Sequence, residues 1–277
     1  MNIGLGLPTT IEGTTGELLL QWAQRADAGP FTSLGVLDRL AYQNYEPFTA
    51  LAAAAAVTRR VRLATMVVIA PLRNTAVLAK QAASLDALSS GRFTLGLAVG
   101  ARAEDYEAAG VESRGRGRRF AEQLEVIRDI WEEGTIGPKP SGAGPQLLVG
   151  GSSGEALARM ARYGDGYMHG GGPPRAFASA VAKAKAAWSD LGRPGTPQLW
   201  GMGYFALGDQ EAGAQYLRHY YAFTGAFAEK IAAGNLTSAG AIVDFVRGYQ
   251  DAGCDELVLF PTVPGLEQID RLAEVIH

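Results

Sequence analysis

The chain has 277 residues, 47% hydrophobic and 19% charged, a composition that suits a globular protein with a large core and excludes extended disorder. Its net charge of −3 creates no field favouring nucleic acid or an anionic membrane, and no run reaches the roughly 20 apolar residues of a membrane helix. One cysteine, Cys254, excludes an intramolecular disulfide and a multi-cysteine metal cluster, and three histidines without an HExxH pair leave no metal site to expect.

Short apolar runs alternate with longer segments of helical period, the signature of βαβ units and a parallel sheet. The N-terminal residues show no basic segment followed by a long apolar stretch. They read as a first strand, Asn2–Leu7, and a cytoplasmic location is expected. Gly16–Ala28 carries Leu19, Leu20, Ala23 and Ala26 at helical spacing. Ser33–Leu37 is the second strand and runs into Asp38 and Arg39. Glu46–Val57 is a helix with Pro47 near its start, where a missing N–H costs little. Its segment Leu51–Val57 is apolar all round, whereas a helix covering only a barrel keeps a polar outer face. That pattern predicts a homodimer; the alternative is an alanine-rich helix covered by its own loops.

Val61–Ile69 reads as one continuous third strand, followed by Arg73 and by helix Thr75–Leu88 with Asn74 as its cap. Strand Phe93–Ala98 leads to Arg102. Helix Arg118–Glu133 places Phe120, Leu124, Ile127 and Trp131 on one face. The glycine- and proline-rich segment Gly134–Pro145 reads as a loop, but the βα rhythm resumes at once, so residues 1–277 are expected to form one domain. The later strands are Gln146–Val149, Gly166–His169, Leu199–Leu207 and Glu256–Phe260. The later helices are Glu155–Tyr163, Arg175–Leu191, Gln210–Phe223, Ala226–Ala233, Ala239–Ala252 and Leu266–Ile276. Gly91, Gly164, Gly192 and Gly253 follow helices, where left-handed caps are common. Eight strands, several nearly all apolar, predict a closed (β/α)8 TIM barrel, whose active site lies at the C-terminal strand ends.

The strand ends carry the residues of chemical interest. Val149 leads through Gly150, Gly151, Ser152 and Ser153 into a helix. Glycines allow a ligand close to the backbone, and amides at a helix N-terminus attract phosphate. A tight βα turn with a serine cap explains the same residues equally well. His169, before Gly170–Gly172, offers a cofactor contact or an acid/base; a histidine satisfied at a loop edge is the favoured alternative. Asp38 and Arg39 form either a solvated pair or a cluster with Arg73 or Arg102. The basic run from Arg114 to Arg119 suits an anionic cofactor tail but more often marks a solvated helix start. Trp200, Tyr204 and Phe205 read as core, with one of them free to line a pocket. Cys254 has no activating partner and reads as packing.

Taken together, the segments Ile3–Pro8, Leu37-Asp38-Arg39, Glu46-Pro47-Phe48, Val57–Thr65, Ala70–Asn74, Leu88–Phe93, Leu95–Gly100, Tyr163–Gly166 and Asp251–Gly253 resemble, in order and spacing, the bacterial luciferase-like superfamily of flavin- and deazaflavin-dependent oxidoreductases. The resemblance covers nearly the whole chain. It implies a TIM barrel holding reduced FMN or coenzyme F-420 over the strand ends. It places the cofactor phosphate at Gly150, Gly151, Ser152 and Ser153, and a cis peptide under the flavin ring at or next to Met66–Val67. One departure stands out: many members carry, where this chain has Arg39, a histidine that takes part in catalysis in deazaflavin-dependent dehydrogenases.

The reading is a flavin-dependent oxidoreductase, a monooxygenase using reduced FMN on a small organic substrate, with a separate flavin reductase as possible electron source. Asp38, Arg39, Arg73, Arg102 and His169 are expected near the reacting centre. An F-420-dependent hydride-transfer enzyme is the alternative. A non-catalytic flavin-binding barrel and a cofactor-free aldolase or isomerase are the rivals of other classes, the last weakened because no lysine stands at any of these strand ends.

Overall fold

The computed structural model describes residues 1–139, 142 and 144–276. Nine strands run in chain order: β1 (Asn2–Gly6), β2 (Ser33–Val36), β3 (Arg62–Thr65), β4 (Val68–Ile69), β5 (Phe93–Ala98), β6 (Gln146–Gly150), β7 (Gly166–Met168), β8 (Gln198–Phe205) and β9 (Glu256–Pro261). Every pairing is parallel, and the order β3-β2-β1-β9-β8-β7-β6-β5 closes because β3 also pairs β5. β3 and β4 are two halves of one barrel strand, so the protein is the eight-stranded (β/α)8 barrel its sequence predicts.

Helices α1 (Gly16–Ala28), α2 (Pro47–Val57), α3 (Thr75–Leu88), α5 (Arg116–Glu133), α6 (Gly154–Tyr163), α7 (Pro174–Asp190), α10 (Ala239–Asp251) and α11 (Glu267–Ile276) cover the barrel. Caps sit where local chemistry puts them. The Asn74 and Ser153 side chains accept from the Val77 and Ala156 amides, and Glu46 accepts from Thr49. Between barrel and helices lies one continuous apolar layer containing Leu5, Trp22, Leu34, Phe93, Leu97, Phe177 and Leu257. A second cluster, inside the barrel and over its mouth, contains Ala64, Met66, Leu148, Met168, Trp200, Tyr204 and Phe260. Among the described residues, no helix is long and apolar enough to cross a membrane.

Several sequence expectations need correction. Val61–Ile69 is not one continuous strand. Leu63 opposes Phe93, but Val68 opposes Leu97, so the third strand holds one residue more than its partner across the break. Such an extra residue is extruded from the ladder as a bulge. Thr65 repairs the gap: its hydroxyl accepts from the Gly96 amide and donates to the Gly96 carbonyl, both at 2.9 Å. The Met66–Val67 bond at the break is cis, as the resemblance implied.

Helix Gln210–Phe223 ends at Tyr220 as α8 (Gln210–Tyr220), followed by a 3-10 turn at Ala222–Thr224 and α9 (Phe227–Ala233). A short helix absent from the sequence reading, α4 (Ala103–Ala109), follows β5. Gly91, Gly192 and Gly253 take positive φ, whereas Gly164 ends α6 at φ −89°. Of the expected loop Gly134–Pro145, Pro140, Ser141 and Ala143 lie outside the described residues; the rest contains a cis Gly137–Pro138 bond.

Gly96 stands where the repaired ladder leaves no room. A Cβ there would fall on the Thr65 carbonyl oxygen and 2.7 Å from the Met168 sulfur. Overpacking of this kind costs about 1–3 kcal/mol. Gly96→Ala is therefore expected to lower unfolding free energy by at least about 2 kcal/mol in a denaturant titration; an unchanged midpoint would contradict the packing described.

Candidate active site

β2 delivers Asp38 and Arg39 to the mouth of the barrel. Asp38 is buried; its Oδ2 accepts from the Ile69 amide at 2.9 Å, just past the strand break. Arg73 Nη2 lies 3.2 Å from both Asp38 oxygens, and Arg73 Nη1 donates to Glu46 at 2.9 Å. One arginine thus joins the end of β2, the turn after β4 and the cap of α2. Burial raises the Asp38 pKa above the usual carboxylate range, against the opposing pull of Arg73 and the Ile69 amide. Gln123 of α5 holds the same turn from outside, donating to the Ala70 and Arg73 carbonyls.

Arg39 is equally buried. Its Nη2 pairs with Glu104 at 2.8 Å, and its guanidinium lies 4.5 Å from the centre of the Tyr42 ring and 5.5 Å from that of Tyr220. Asp105 fixes the chain after Arg39 by accepting from the Leu40 and Ala41 amides. Arg102, beyond β5, lies 4.8 Å from the Tyr220 ring centre, 5.8 Å from Tyr221 and 4.4 Å from Phe223. Asp38, Arg39, Arg73 and Arg102 are therefore brought together, as the sequence led one to expect.

What the sequence reading missed is the cover over them. α8 and the turn after it lay Tyr216, Leu217, Tyr220 and Tyr221 across the strand ends. Tyr216 bonds Thr10 at 2.6 Å, Tyr221 bonds Tyr204 at 2.7 Å, and Tyr42 bonds His219 at 3.0 Å. Burial pushes the pKa of Tyr204, Tyr216, Tyr220 and Tyr221 upward, so these hydroxyls keep their protons at neutral pH. Beside the cover opens a cavity of about 620 Å³ lined by Glu12, Arg39, Tyr42, Glu104, His219 and Phe223. The doublet Tyr220-Tyr221 at a helix end was the one signal available in the sequence.

The floor is built from Met66, Val67 and Gly150. Met66 points into the barrel cluster. A Cβ on Gly150 would stand 3.4 Å from the Ala98 Cβ and 3.5 Å from Val67 Cγ1, so the strand break and the ends of β5 and β6 meet at one point. From there Gly151, at φ +121°, turns the chain through exposed Ser152 and Ser153 into α6. A Cβ on Gly151 would lie 2.7 Å from that of Ala156. Ser153 caps the helix, and the exposed Glu155 carboxylate turns back on its own amide and on the Ser153 hydroxyl, which lowers its pKa. One turn on, half-buried Arg159 lies 5.8 Å from the Phe120 ring centre, and its Nε has no partner among the described residues.

His169 is placed elsewhere. Met168 faces the barrel interior, so Tyr167 and His169 face the helices. Its ring meets Phe177 edge-on at 5.5 Å, and Nδ1 lies 3.2 Å from the Tyr167 hydroxyl. Burial lowers its pKa, against a backbone hydrogen bond at Gly171. Trp200 and Tyr204 point inward and Phe205 outward. Arg119 caps the carbonyls of Glu112 and Arg114, while Arg118 is exposed. The Cys254 thiol, buried and pushed up to about 12, is packing. Among the described residues no group of acids, cysteines and histidines is arranged to hold a metal ion.

The chain is similar to known proteins over nearly all its length. A family model described as luciferase-like monooxygenase matches residues 1–257. An uncharacterized protein of Mycobacterium tuberculosis is 33% identical over 62% of this chain and 71% of its own. The pyrimidine monooxygenase RutA of Methylobacterium radiotolerans is 34% identical over 54% of this chain and 45% of its own, so the match spans less than half of that protein. Among solved structures, an F420-dependent secondary alcohol dehydrogenase superposes with a TM-score of 0.84 at 18% identity, covering 99% of this chain and 97% of the other. The monooxygenase RslO1 of Streptomyces bottropensis gives 0.78 at 21%, covering 100% and 97%. Barrel, strand break and extent of match agree: the chain belongs to the luciferase-like monooxygenase family, whose members are flavin-dependent oxidoreductases.

Proposed function

We propose that this chain is a cytoplasmic monooxygenase that uses reduced FMN on a small organic substrate, with residues 1–277 as one domain. The observation that carries the reading is the floor where Val67, Ala98 and Gly150 meet, continuous with the Gly150–Ser153 turn. The residues there fit the cofactor. A side chain at Gly151 would fill the turn, the start of α6 offers amides, and Arg159 has an Nε unpartnered among the described residues. When bound, reduced FMN would supply the electrons for oxidation by dioxygen. The chain's own part is to bind, orient and exclude water. The turn would hold the phosphate, with Glu155 and Ser153 sharing the amides at the start of α6. The floor would support the ring. Asp38, Arg73 and Glu46 keep the strand break in place, and the tyrosine cover keeps water from the reacting centre. Arg39 and Arg102 face the substrate side, whereas His169 steadies the β7 end.

Hydride transfer with coenzyme F-420 is the second reading, favoured by the overall likeness to the alcohol dehydrogenase that carries it. Arg39, standing where many family members carry a catalytic histidine, weighs against it. A separate flavin reductase is the proposed electron donor.

A homodimer completes the proposal. Ala53 and Ala56 of α2 are exposed, as are Val77 and Leu88 of α3, at 54% and 69%. The groove between the two helices, about 440 Å³, is walled by Phe48, Ala52, Val77, Leu85 and Leu88. An apolar two-helix face with small residues admits a second copy closely. Light scattering at micromolar concentration is expected to give twice the 29.2 kDa chain mass; a monomer mass would reject the dimer.

Gly151→Val is expected to weaken FMN binding at least about tenfold, equivalent to roughly 1.4 kcal/mol. Arg39→Ala is expected to lower turnover and leave FMN affinity within a few-fold. Fluorescence titration with FMN and with F-420 checks both and ranks the two cofactors. Equal affinities for wild type and a folded Gly151→Val would place the phosphate elsewhere.

A further inference from the structure

Three arginines stand at the barrel mouth, and they are not equivalent. Arg73 is shared by Asp38 and Glu46, and Arg39 is paired with Glu104. Asp105 accepts from the Leu40 and Ala41 amides. Arg102 has neither an ion pair nor a hydrogen bond among the described residues, although it is half-buried and its Nε is shut away from solvent. Three rings surround its guanidinium at 4.4–5.8 Å. Aromatic faces offset the charge but accept none of the five N–H donors. A buried donor left without an acceptor costs free energy that a ligand can recover.

A second donor without a protein acceptor among the described residues, though not wholly closed to solvent, belongs to the residue whose ring lies 4.8 Å from Arg102. The Tyr220 side chain is buried, burial holds its proton on, and its hydroxyl makes no hydrogen bond among the described residues. A guanidinium and a phenol, both unmatched and set among flat apolar rings, suit a planar ligand bearing a carboxylate or comparable delocalised oxyanion. The neighbouring cavity of about 620 Å³, lined by Phe223, Arg39, Glu104 and Glu12 and reached past the Arg102 and Tyr220 side chains, is of the size that takes small organic molecules.

We propose that Arg102 and Tyr220 form the subsite for an anionic oxygen of the substrate, and that the substrate is a planar aromatic or conjugated acid. This rests on the reading of the barrel mouth as the substrate site, but its test does not require the cofactor. Arg102 is the binding group and Tyr220 adds a hydrogen bond; the phosphate turn is a separate place.

Calorimetric titration of the full chain with benzoate and with its neutral isostere benzamide tests the assignment, in the absence and presence of saturating FMN. Wild type is expected to bind benzoate at least tenfold more tightly than benzamide. Arg102→Gln is expected to abolish that preference, Arg102→Lys to retain part of it, and Tyr220→Phe to weaken benzoate a few-fold. Thermal melting confirms that each variant is folded, and FMN affinity in Arg102→Gln is expected to match wild type. No preference for benzoate in wild type, or an equal preference in folded Arg102→Gln, overturns the proposal. So does a loss of FMN binding in Arg102→Gln with benzoate binding intact, which would assign the arginine to the cofactor. A benzoate preference that depends on Arg102 in a chain that binds neither FMN nor F-420 supports the subsite and rejects only the flavin reading.

Discussion

A closed barrel has no free edge along which a misfit can be relaxed, so the one residue too many in its third strand has to be accommodated on the spot. The shift from Leu63 opposite Phe93 to Val68 opposite Leu97 measures that misfit. The ladder is rejoined by a side chain, Thr65, against a glycine that can take no Cβ. The break falls at the catalytic end, where Val67 meets Ala98 and Gly150. Asp38 is committed to the amide of Ile69 just beyond it, and Arg73 to Asp38. The polar residues around the break therefore serve its geometry first, and only those not consumed by it are free to meet a ligand.

That division explains the unequal roles of similar side chains. Arg73 and Arg39 are each neutralised by carboxylates, while Arg102 is held by rings alone. An ion pair fixes a guanidinium and occupies some of its donors, leaving only Nε of Arg39 without a partner among the described residues; an aromatic cage fixes it and leaves them all available. The Gly150–Ser153 turn follows the same logic, since Ser153 is spent on the helix cap while Gly151 supplies a backbone that only glycine adopts without strain.

The barrel was legible because its strands are short apolar runs punctuated by glycine; two-sided burial marks such a run as a strand without saying which residues face inward. Register is not written in that pattern. Val61–Ile69 is mostly apolar, broken only by Arg62 and Thr65, and a surplus residue within it becomes visible only when its neighbour is paired alongside. The seven-residue α4 is too short to show a period, and the tyrosine cover hid inside an ordinary amphipathic helix. His169 sits on the helix side because strand alternation from Met168 puts it there, a parity that its position at a strand end had obscured. Asp38 and Arg73 pair because successive strand ends converge in any barrel, while Arg39 and Arg102 meet Glu104 and aromatic rings at the same mouth.

The cover is latched by phenols and their partners. Tyr216 to Thr10 and Tyr221 to Tyr204 tie it to the ends of β1 and β8, and His219 ties it to Tyr42 beyond β2. Each such bond contributes only about 0.5–1.5 kcal/mol, and the Thr10 and Tyr204 latches join groups without formal charge. Ions in solution have little purchase on them, unlike on the exposed pairs of Arg218 with Glu211 and Glu229 on the outer side of α8. Those two latches are thereby insulated from ionic strength, whereas the Arg39 and Arg102 guanidiniums against Tyr220, Tyr221 and Phe223 add charged contacts to the same cover.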